Sequence, residues 1–98
     1  MSLPVTLWDE AQAEFDDAGD YYEARRPGLG ADFVAAVQAV FDRIAVNPRI
    51  HAVVYRDVRK AVVKGFPYCV FYFEEPTRVV VTSVFHTSRD PAIWQGRR

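Results

Sequence analysis

The spacing of apolar residues changes halfway along the chain, and this change limits what the chain can fold into. In the first half, apolar residues recur at every third or fourth position, as on one face of a helix. From residue 53 onwards, β-branched and aromatic residues occur in short runs separated by turn residues, as in strands. A chain of 98 residues has room for one modest core. We therefore expect a single α+β domain over residues 1–98.

Two amphipathic stripes predict two helices. The first stripe consists of Trp8, Ala11, Phe15, Ala18 and Tyr22, and the second of Phe33, Val37, Val40, Phe41 and Ile44. Pro27-Gly28 ends the first helix, Gly30 leaves the chain free to reverse, and Asn47-Pro48 stops the second helix. Because the connection is short, we expect an antiparallel helical hairpin over about residues 9–47.

The second half predicts a small antiparallel sheet over about residues 53–86, followed by a tail at 87–98. Its extended segments are residues 53–55, 58–64, 68–73 and 79–85. Residues 4–7 form a further β-prone stretch that fits an edge strand. Hairpin-linked strands after two helices indicate that the helices pack on one face of the sheet.

These strands lack the apolar–polar alternation of a sheet with one face in water. If Phe73 pairs with Val79, one face carries Cys69, Phe71, Phe73, Val79, Val81, Ser83 and Phe85. The other face then carries Tyr68, Val70, Tyr72, Val80, Thr82, Val84 and His86. Two helices cover only one face, so we expect an exposed apolar face that a partner binds. The alternative is that the first strand and the C-terminal tail fold over it.

Charge is distributed unevenly along the chain. Residues 1–48 carry nine acids and three arginines, whereas residues 49–98 carry nine bases and four acids. A molecule with one positive side suits an acidic protein or nucleic acid as a partner. The alternative is that the helices happen to be acidic and the strands basic.

Composition excludes several classes of protein. The longest apolar runs are about five residues, too short to span a membrane, and no secretory signal is visible. The lone Cys69 excludes an internal disulfide and a metal site built from cysteines. We expect a cytoplasmic protein with no cofactor and no metal.

The last residues, SVFHTSRDPAIWQGRR, gather a histidine, a tryptophan and three arginines behind the most apolar segment. They are either a solvated tail or a contact surface. Trp94, after Pro91, is most simply a lid that packs the tail on the sheet, and a large amphipathic ring is also a typical interface anchor.

Three segments together resemble the RelE/ParE superfamily, the toxins of bacterial type II toxin–antitoxin systems. They are FPYCVFY at 66–72, the strand at 79–85 and HTSRDPAIW at 86–94. The helical hairpin before them fits as well, so that the resemblance covers residues 5–94. It implies a RelE/ParE-like α+β fold in which a helical hairpin packs on a small antiparallel sheet.

The resemblance implies two alternative activities. RelE-type toxins cut messenger RNA on the ribosome, and ParE-type toxins, found among plasmid stabilisation proteins, poison DNA gyrase without being nucleases. Both are neutralised by a cognate antitoxin in a toxin–antitoxin hetero-oligomer, and neither implies a membrane partner. A third possibility is a degenerate member that binds an antitoxin and poisons nothing.

Metal-independent RNA cleavage needs an acid, a base and positive charge at the phosphate. Candidates for these roles are His86, Arg89, Lys60 and Lys64. By resemblance Arg89 matches a catalytic arginine of RelE, but Cys69 stands where many RNA-cutting members carry a second arginine. A thiol cannot replace that positive charge. We therefore expect a ParE-like gyrase inhibitor rather than an enzyme.

Two contact surfaces follow from this interpretation. The target would be bound by the last strand and the tail, through Arg59, His86, Arg89 and Trp94. The antitoxin would be bound by the acidic helices and by the open face of the sheet, the latter through Phe71, Phe73, Val79 and Val81.

Overall fold

The computed structural model describes all 98 residues and has a helical hairpin packed on one sheet. The elements are β1 (Val5–Leu7), α1 (Asp9–Arg25), α2 (Leu29–Val46), β2 (Val53–Tyr55), β3 (Val58–Val62), β4 (Tyr68–Glu74), β5 (Val79–His86) and α3 (Pro91–Gln95). The strands lie in the order β1-β5-β4-β3-β2. The α+β class and the hairpin are confirmed. The sheet is mixed rather than purely antiparallel, because the predicted edge strand β1 runs parallel to β5.

The turn between the helices is tighter than expected. Gly28 has a positive φ of 89° and precedes α2, which already begins at Leu29. Gly30 therefore lies inside α2 and not in the turn. A Cβ on Gly30 would lie 2.7 Å from the carbonyl oxygen of Gly19, so this glycine is required for the close approach of the two helices. The Glu23 carboxylate accepts the N–H groups of Gly28 and Gly30, both at 3.0 Å, and so caps the start of α2.

The main core lies between the hairpin and one face of the sheet. From the hairpin it receives Ala11, Ala18, Phe33, Val37, Val40, Phe41 and Ile44. From the sheet it receives Ala61, Val63, Val70, Tyr72, Val79, Val81 and Val84. The apolar stripes read from the sequence are the buried faces of the two helices.

The register of the last hairpin differs from the prediction. Val79 pairs with Glu74 and not with Phe73, which turns Val79 and Val81 toward the helices. Phe71 then pairs with Ser83 while Tyr72 pairs with Val81, so Thr82 is an extra residue in β5. This irregularity is a β-bulge, and it returns Val84 to the helix-facing side. A bulge shifts which residues share a face, and alternation in the sequence alone cannot show it.

The expectation that a partner covers the second face is wrong for most of that face, because the chain covers it itself. Val58, Cys69, Phe71, Phe85 and Trp94 form a second buried cluster. Trp8 and Arg98 lie against Phe73 at the other end of β4. The alternative, that the first strand and the C-terminal tail fold over the face, is therefore confirmed for the tail, whereas β1 pairs with β5 at the edge of the sheet. No helix of the chain is both long and apolar enough to cross a bilayer.

Candidate functional site

Glu14 on α1 joins the C-terminal tail to the end of β5. Its carboxylate accepts from Arg89 Nη1 at 2.6 Å and from Arg97 Nη1 and Nη2 at 2.8 and 3.1 Å. It also accepts the backbone N–H of Val84 at 3.1 Å. Four donors on one carboxylate, which is only 13% exposed, hold the tail against the helix.

Arg97 reaches past Glu14 to the bulge in β5. Its guanidinium donates to the carbonyl oxygen of Thr82 at 3.2 Å and to Ser83 Oγ at 3.0 Å. β1 pairs with β5 only as far as Val81, so beyond that residue the strand edge has no strand partner. Side chains of Glu14 and Arg97 satisfy the exposed backbone groups instead.

His86 ends β5 on the helix-facing side of the sheet. Its ring lies 5.1 Å from that of Tyr68, in an edge-to-face arrangement. Its Nδ1 accepts the backbone N–H of Ser88 at 3.0 Å, with Ser88 Oγ 2.8 Å away. In the neutral ring the proton therefore lies on Nε2, and the nitrogen with the free lone pair is already occupied. This arrangement makes His86 a poor general base in the conformation seen here.

Trp94 lies on the opposite face. α3 begins after Asp90, which caps it by accepting the N–H of Ala92 at 3.0 Å. This short helix places the indole flat on Phe71, with ring centroids 3.9 Å apart and planes inclined by 13°. Trp94 is only 7% exposed, so it is the lid that the sequence indicated and not a free anchor.

Arg98 closes the end of the tail. Its guanidinium forms two hydrogen bonds with the Asp57 carboxylate, at 2.9 and 2.6 Å, and lies 3.7 Å from the centre of the Phe73 ring. The hydrogen bond from Arg98 lowers the pKa of Asp57. The last residue of the chain is thus tied to the turn between β2 and β3.

Arg59 contacts neither Glu14 nor the C-terminal tail. It pairs with Tyr72 across β3 and β4, on the helix-facing side, and donates to the carbonyl oxygen of His51 at 2.7 Å. The Tyr72 hydroxyl donates to the carbonyl oxygen of Pro48 at 2.8 Å, and burial raises its pKa. Both side chains secure the loop after α2.

The structure places the residues of the two predicted contact surfaces differently from the prediction. Of the four residues expected to bind a target, Arg59 and Trp94 are engaged inside the fold, on opposite faces, and only His86 and Arg89 lie together at an accessible strand end. The four residues expected to bind an antitoxin, Phe71, Phe73, Val79 and Val81, are all buried. The helices cover the two valines, and the tail, with Trp8, covers the two phenylalanines.

The four nuclease candidates are also divided. Lys60 pairs with Phe71, which places it on the second face, whereas His86 lies on the helix-facing side. Lys64 follows β3 on the way to the turn at Gly65. Arg89 lies in the loop after β5 and lines hollows on both faces of the sheet. Cys69 is buried, and burial raises the pKa of its thiol, which therefore stays neutral.

A shallow cavity of about 210 Å³ opens on the second face beside α3. It is lined by Val54, Lys60, Cys69, Phe71, Phe85, Thr87, Arg89, Pro91 and Trp94. Two cations above an apolar floor can hold an anionic group that carries an apolar neighbour. The structure contains no group of three metal-ligating side chains.

Glu14, Arg97 and Arg98 organise this region. The two arginines were predicted only as part of a tail that is either solvated or a contact surface, and Glu14 was not among the predicted site residues. One signal was available for Glu14. It lies three residues after Ala11 and four before Ala18, both buried, so an acid stands on the apolar face of α1. An acid at such a position needs a buried cation as its partner. No sequence pattern indicated that this cation would be Arg97, which is 83 residues away.

A helical hairpin on a five-stranded mixed sheet, with the C-terminal tail fastened across the second face, defines a small α+β protein. The sequence profile described as "ParE toxin of type II toxin-antitoxin system, parDE" matches residues 5–91. The chain belongs to this family of ParE toxins.

A comparison of folds finds a solved structure that is similar to this chain. A solved chain from the chromosomal ParDE toxin–antitoxin system of P. aeruginosa superimposes with a TM-score of 0.76. The alignment covers 89% of this chain and 98% of the other, at 12% identity. At that identity the likeness is one of fold. A search of curated protein sequences finds no match.

Proposed function

We propose that this ParE-family chain is neutralised in the bacterial cytoplasm by a cognate antitoxin and poisons DNA gyrase by binding it. The family match over residues 5–91 is the observation that carries this proposal. The similar chain from P. aeruginosa comes from a ParDE toxin–antitoxin system, which supports a protein partner for this one.

The separation of the candidate catalytic groups favours binding over RNA cleavage. Proton transfer to and from one phosphodiester needs the acid, the base and the cations around the same atom. Here the sheet lies between Lys60 and His86. The charge of Arg89 is compensated by Glu14, and Cys69 adds none.

The accessible end of β5 is the best candidate for the target contact. His86 and Arg89 lie there beside Tyr21 and Tyr68, around a hollow of about 290 Å³. Arginine and tyrosine side chains are enriched in protein-binding hot spots. Glu14 holds Arg89 in position before the target arrives.

Two assays on the purified chain test the mechanism. We expect inhibition of gyrase supercoiling, and a translation extract followed by primer extension should contain no codon-positioned cuts. His86→Ala should weaken the inhibition, whereas Arg49→Ala, a change at the opposite end of β4, should leave it unchanged. Codon-positioned cuts with supercoiling untouched would overturn the proposal in favour of mRNA cleavage. Normal growth of cells that express the chain would favour a degenerate member.

A further inference from the structure

Four aromatic rings lie in a row between the end of α1 and the end of β5. Neighbouring ring centroids are 5.3, 6.2 and 5.1 Å apart, in the order Tyr21, Tyr22, Tyr68 and His86. None of the four residues is buried, and Tyr21 is 55% exposed. These rings, which we call the aromatic row, line an open hollow of about 510 Å³ together with Arg25 and Pro67.

The polar groups of this hollow are mainly hydrogen-bond donors. Burial raises the pKa of Tyr22 and of Tyr68, so both hydroxyls stay protonated and can donate. Ser88 occupies Nδ1 of His86, which leaves the Nε2–H group as a further donor. The guanidinium of Arg25 bonds to the Tyr21 hydroxyl and takes part in none of the salt bridges of the chain. A ligand of this hollow should therefore carry negative charge.

The acids of α1 lie elsewhere. Three of them line a groove against α2 on another side of the helix: Asp16, Asp20 and Glu23. Glu14 and Asp17 border the neighbouring hollow around Arg89, and Glu14 is already shared by two arginines. None of the six residues that line the hollow of the aromatic row is acidic. The chain has a net charge of -1, yet this part of its surface suits an anion.

A nucleic-acid strand fits these features better than an acidic peptide does. Bases stack on exposed aromatic side chains, and cations between the rings hold the phosphates. A strand repeats one planar group and one negative charge along its length, as the row repeats rings beside donors. An acidic peptide would satisfy the donors but has no regular succession of planar groups for the rings.

We propose that the aromatic row binds a single-stranded stretch of the DNA on which gyrase acts, with a base on Tyr21 and a phosphate on Arg25. This inference rests on the proposed function, which brings DNA and this chain together. The hollow around Arg89 remains the contact with the gyrase protein. His86 lines both hollows, so one strand end serves both contacts.

Arg25→Gln tests the proposal, with Arg49→Gln as the matched control. Both arginines are exposed, both variants remove one charge, and Arg49 lies at the opposite end of β4, beside Glu74. The probe is a fluorescently labelled oligothymidine, whose anisotropy is measured with the purified chain at low salt. We expect Arg25→Gln to bind more weakly and to lower the slope of log affinity against log salt by about 0.7, as for one lost phosphate contact. Arg49→Gln should keep both the affinity and the slope.

Tyr21→Ala gives a second test, because a ring this exposed is not needed for folding. It should weaken binding about tenfold while circular dichroism and the salt slope stay unchanged, since stacking involves no charge. Tyr22→Ala is avoided because that ring also packs on Phe33 and Phe66 in the core.

Three results would overturn the inference and leave the proposed function standing. The first is a chain that inhibits gyrase but binds no oligothymidine, because the row would then contact protein. The second is equal affinity of Arg25→Gln and Arg49→Gln. The third is binding of an RNA strand of matching sequence more than about tenfold tighter than the DNA, which would assign the row to RNA. A chain that binds DNA through the row but leaves supercoiling untouched would instead retain the site and refute the proposed function.

Discussion

At the scale of single residues, Glu14 connects three parts of the chain: helix α1, strand β5 and the C-terminal tail. One carboxylate binds two guanidinium groups and a backbone N–H of β5. Arg97 is the more buried of its two arginine partners, with a side chain that is 14% exposed. A charge at that depth depends on its partner, because water cannot replace it.

Glu14→Gln should therefore destabilise the fold. The amide keeps the size of the side chain but leaves the Arg97 charge without a counter-charge, at a cost of about 2–3 kcal/mol. Urea unfolding measures this difference. Glu10→Gln, an exposed acid of the same helix, should change the free energy of unfolding by less than about 0.5 kcal/mol. Equal stability of the two variants would mean that the network contributes nothing.

His51 should make stability depend on pH. Burial, with a smaller effect of Arg43, lowers its pKa below the ordinary 6.5, and its Nε2 is buried without a hydrogen-bond partner. The unfolded chain then binds the proton more readily. The contribution of neutral His51 is thus complete above pH 6.5 and is lost as the pH falls below that value, through the lower pKa of the folded state.

Urea unfolding at pH 7.5 and at pH 5.5 measures this effect. We expect the unchanged chain to lose stability between the two, and His51→Gln to lose clearly less, because glutamine does not titrate. An identical loss in both proteins would assign the pH dependence to other groups.

At the scale of elements, the five-residue helix α3 decides how the second face is covered. It is far too short to be stable alone, so its position depends on the Asp90 cap, on Trp94 and on the arginines that follow. The sequence indicated a lid at Trp94, but the packing of that lid on Phe71 depends on the register of β4 and β5.

Trp94→Ala should open this face. Removing a buried indole stacked on Phe71 costs about 3–4 kcal/mol and exposes Cys69 and Phe85. We expect a lower urea midpoint and stronger binding of the dye ANS. Ile93→Ala is the control. Ile93 is the residue before Trp94 and is 42% exposed, so its truncation should change neither the urea midpoint nor the ANS binding. Unchanged ANS binding by Trp94→Ala would show that other parts of the chain cover the face.

Two glycines test the packing of the helical hairpin. Gly30→Ala would place a Cβ 2.7 Å from the Gly19 carbonyl oxygen and force the helices apart, at a cost of about 1–3 kcal/mol. A Cβ on Gly19 meets only Val34 Cγ2, at an ordinary 3.7 Å. Gly19→Ala should then stabilise the chain by about 0.5–1 kcal/mol, because alanine favours a helix. Thermal unfolding of both variants checks the opposite signs, and equal shifts would contradict the packing described here.

At the scale of the whole molecule, the uneven charge of the two halves is partly used within the chain. Glu14, from the acidic half, binds Arg89 and Arg97 from the basic half. Arg49, Arg78 and Arg98 also pair with acids, which leaves Arg56, Arg59, Lys60 and Lys64 as the bases of the second half without a salt bridge. Charge counts along a chain overestimate a binding surface when the fold brings opposite charges together.

Because Glu14 connects the first helix with the last residues, the chain should unfold as one cooperative unit. The two tryptophans, Trp8 and Trp94, both pack on the second face and report on it by fluorescence. Their transition in urea should coincide with that of far-ultraviolet circular dichroism. A fluorescence change at lower urea would mean that the tail opens independently of the core.

The sequence by itself determined the helices, the strands and the family, since period, turn residues and motifs are local properties that every fold of this chain must satisfy. Only the tertiary structure decided which side chains meet. The extra residue at Thr82 places Val79 and Val81 on the helix-facing side of the sheet. The salt bridge from Arg97, 83 residues away, makes Glu14 the residue that holds the tail in place. Register and distant ion pairs depend on how the elements dock, and the sequence alone does not specify that docking.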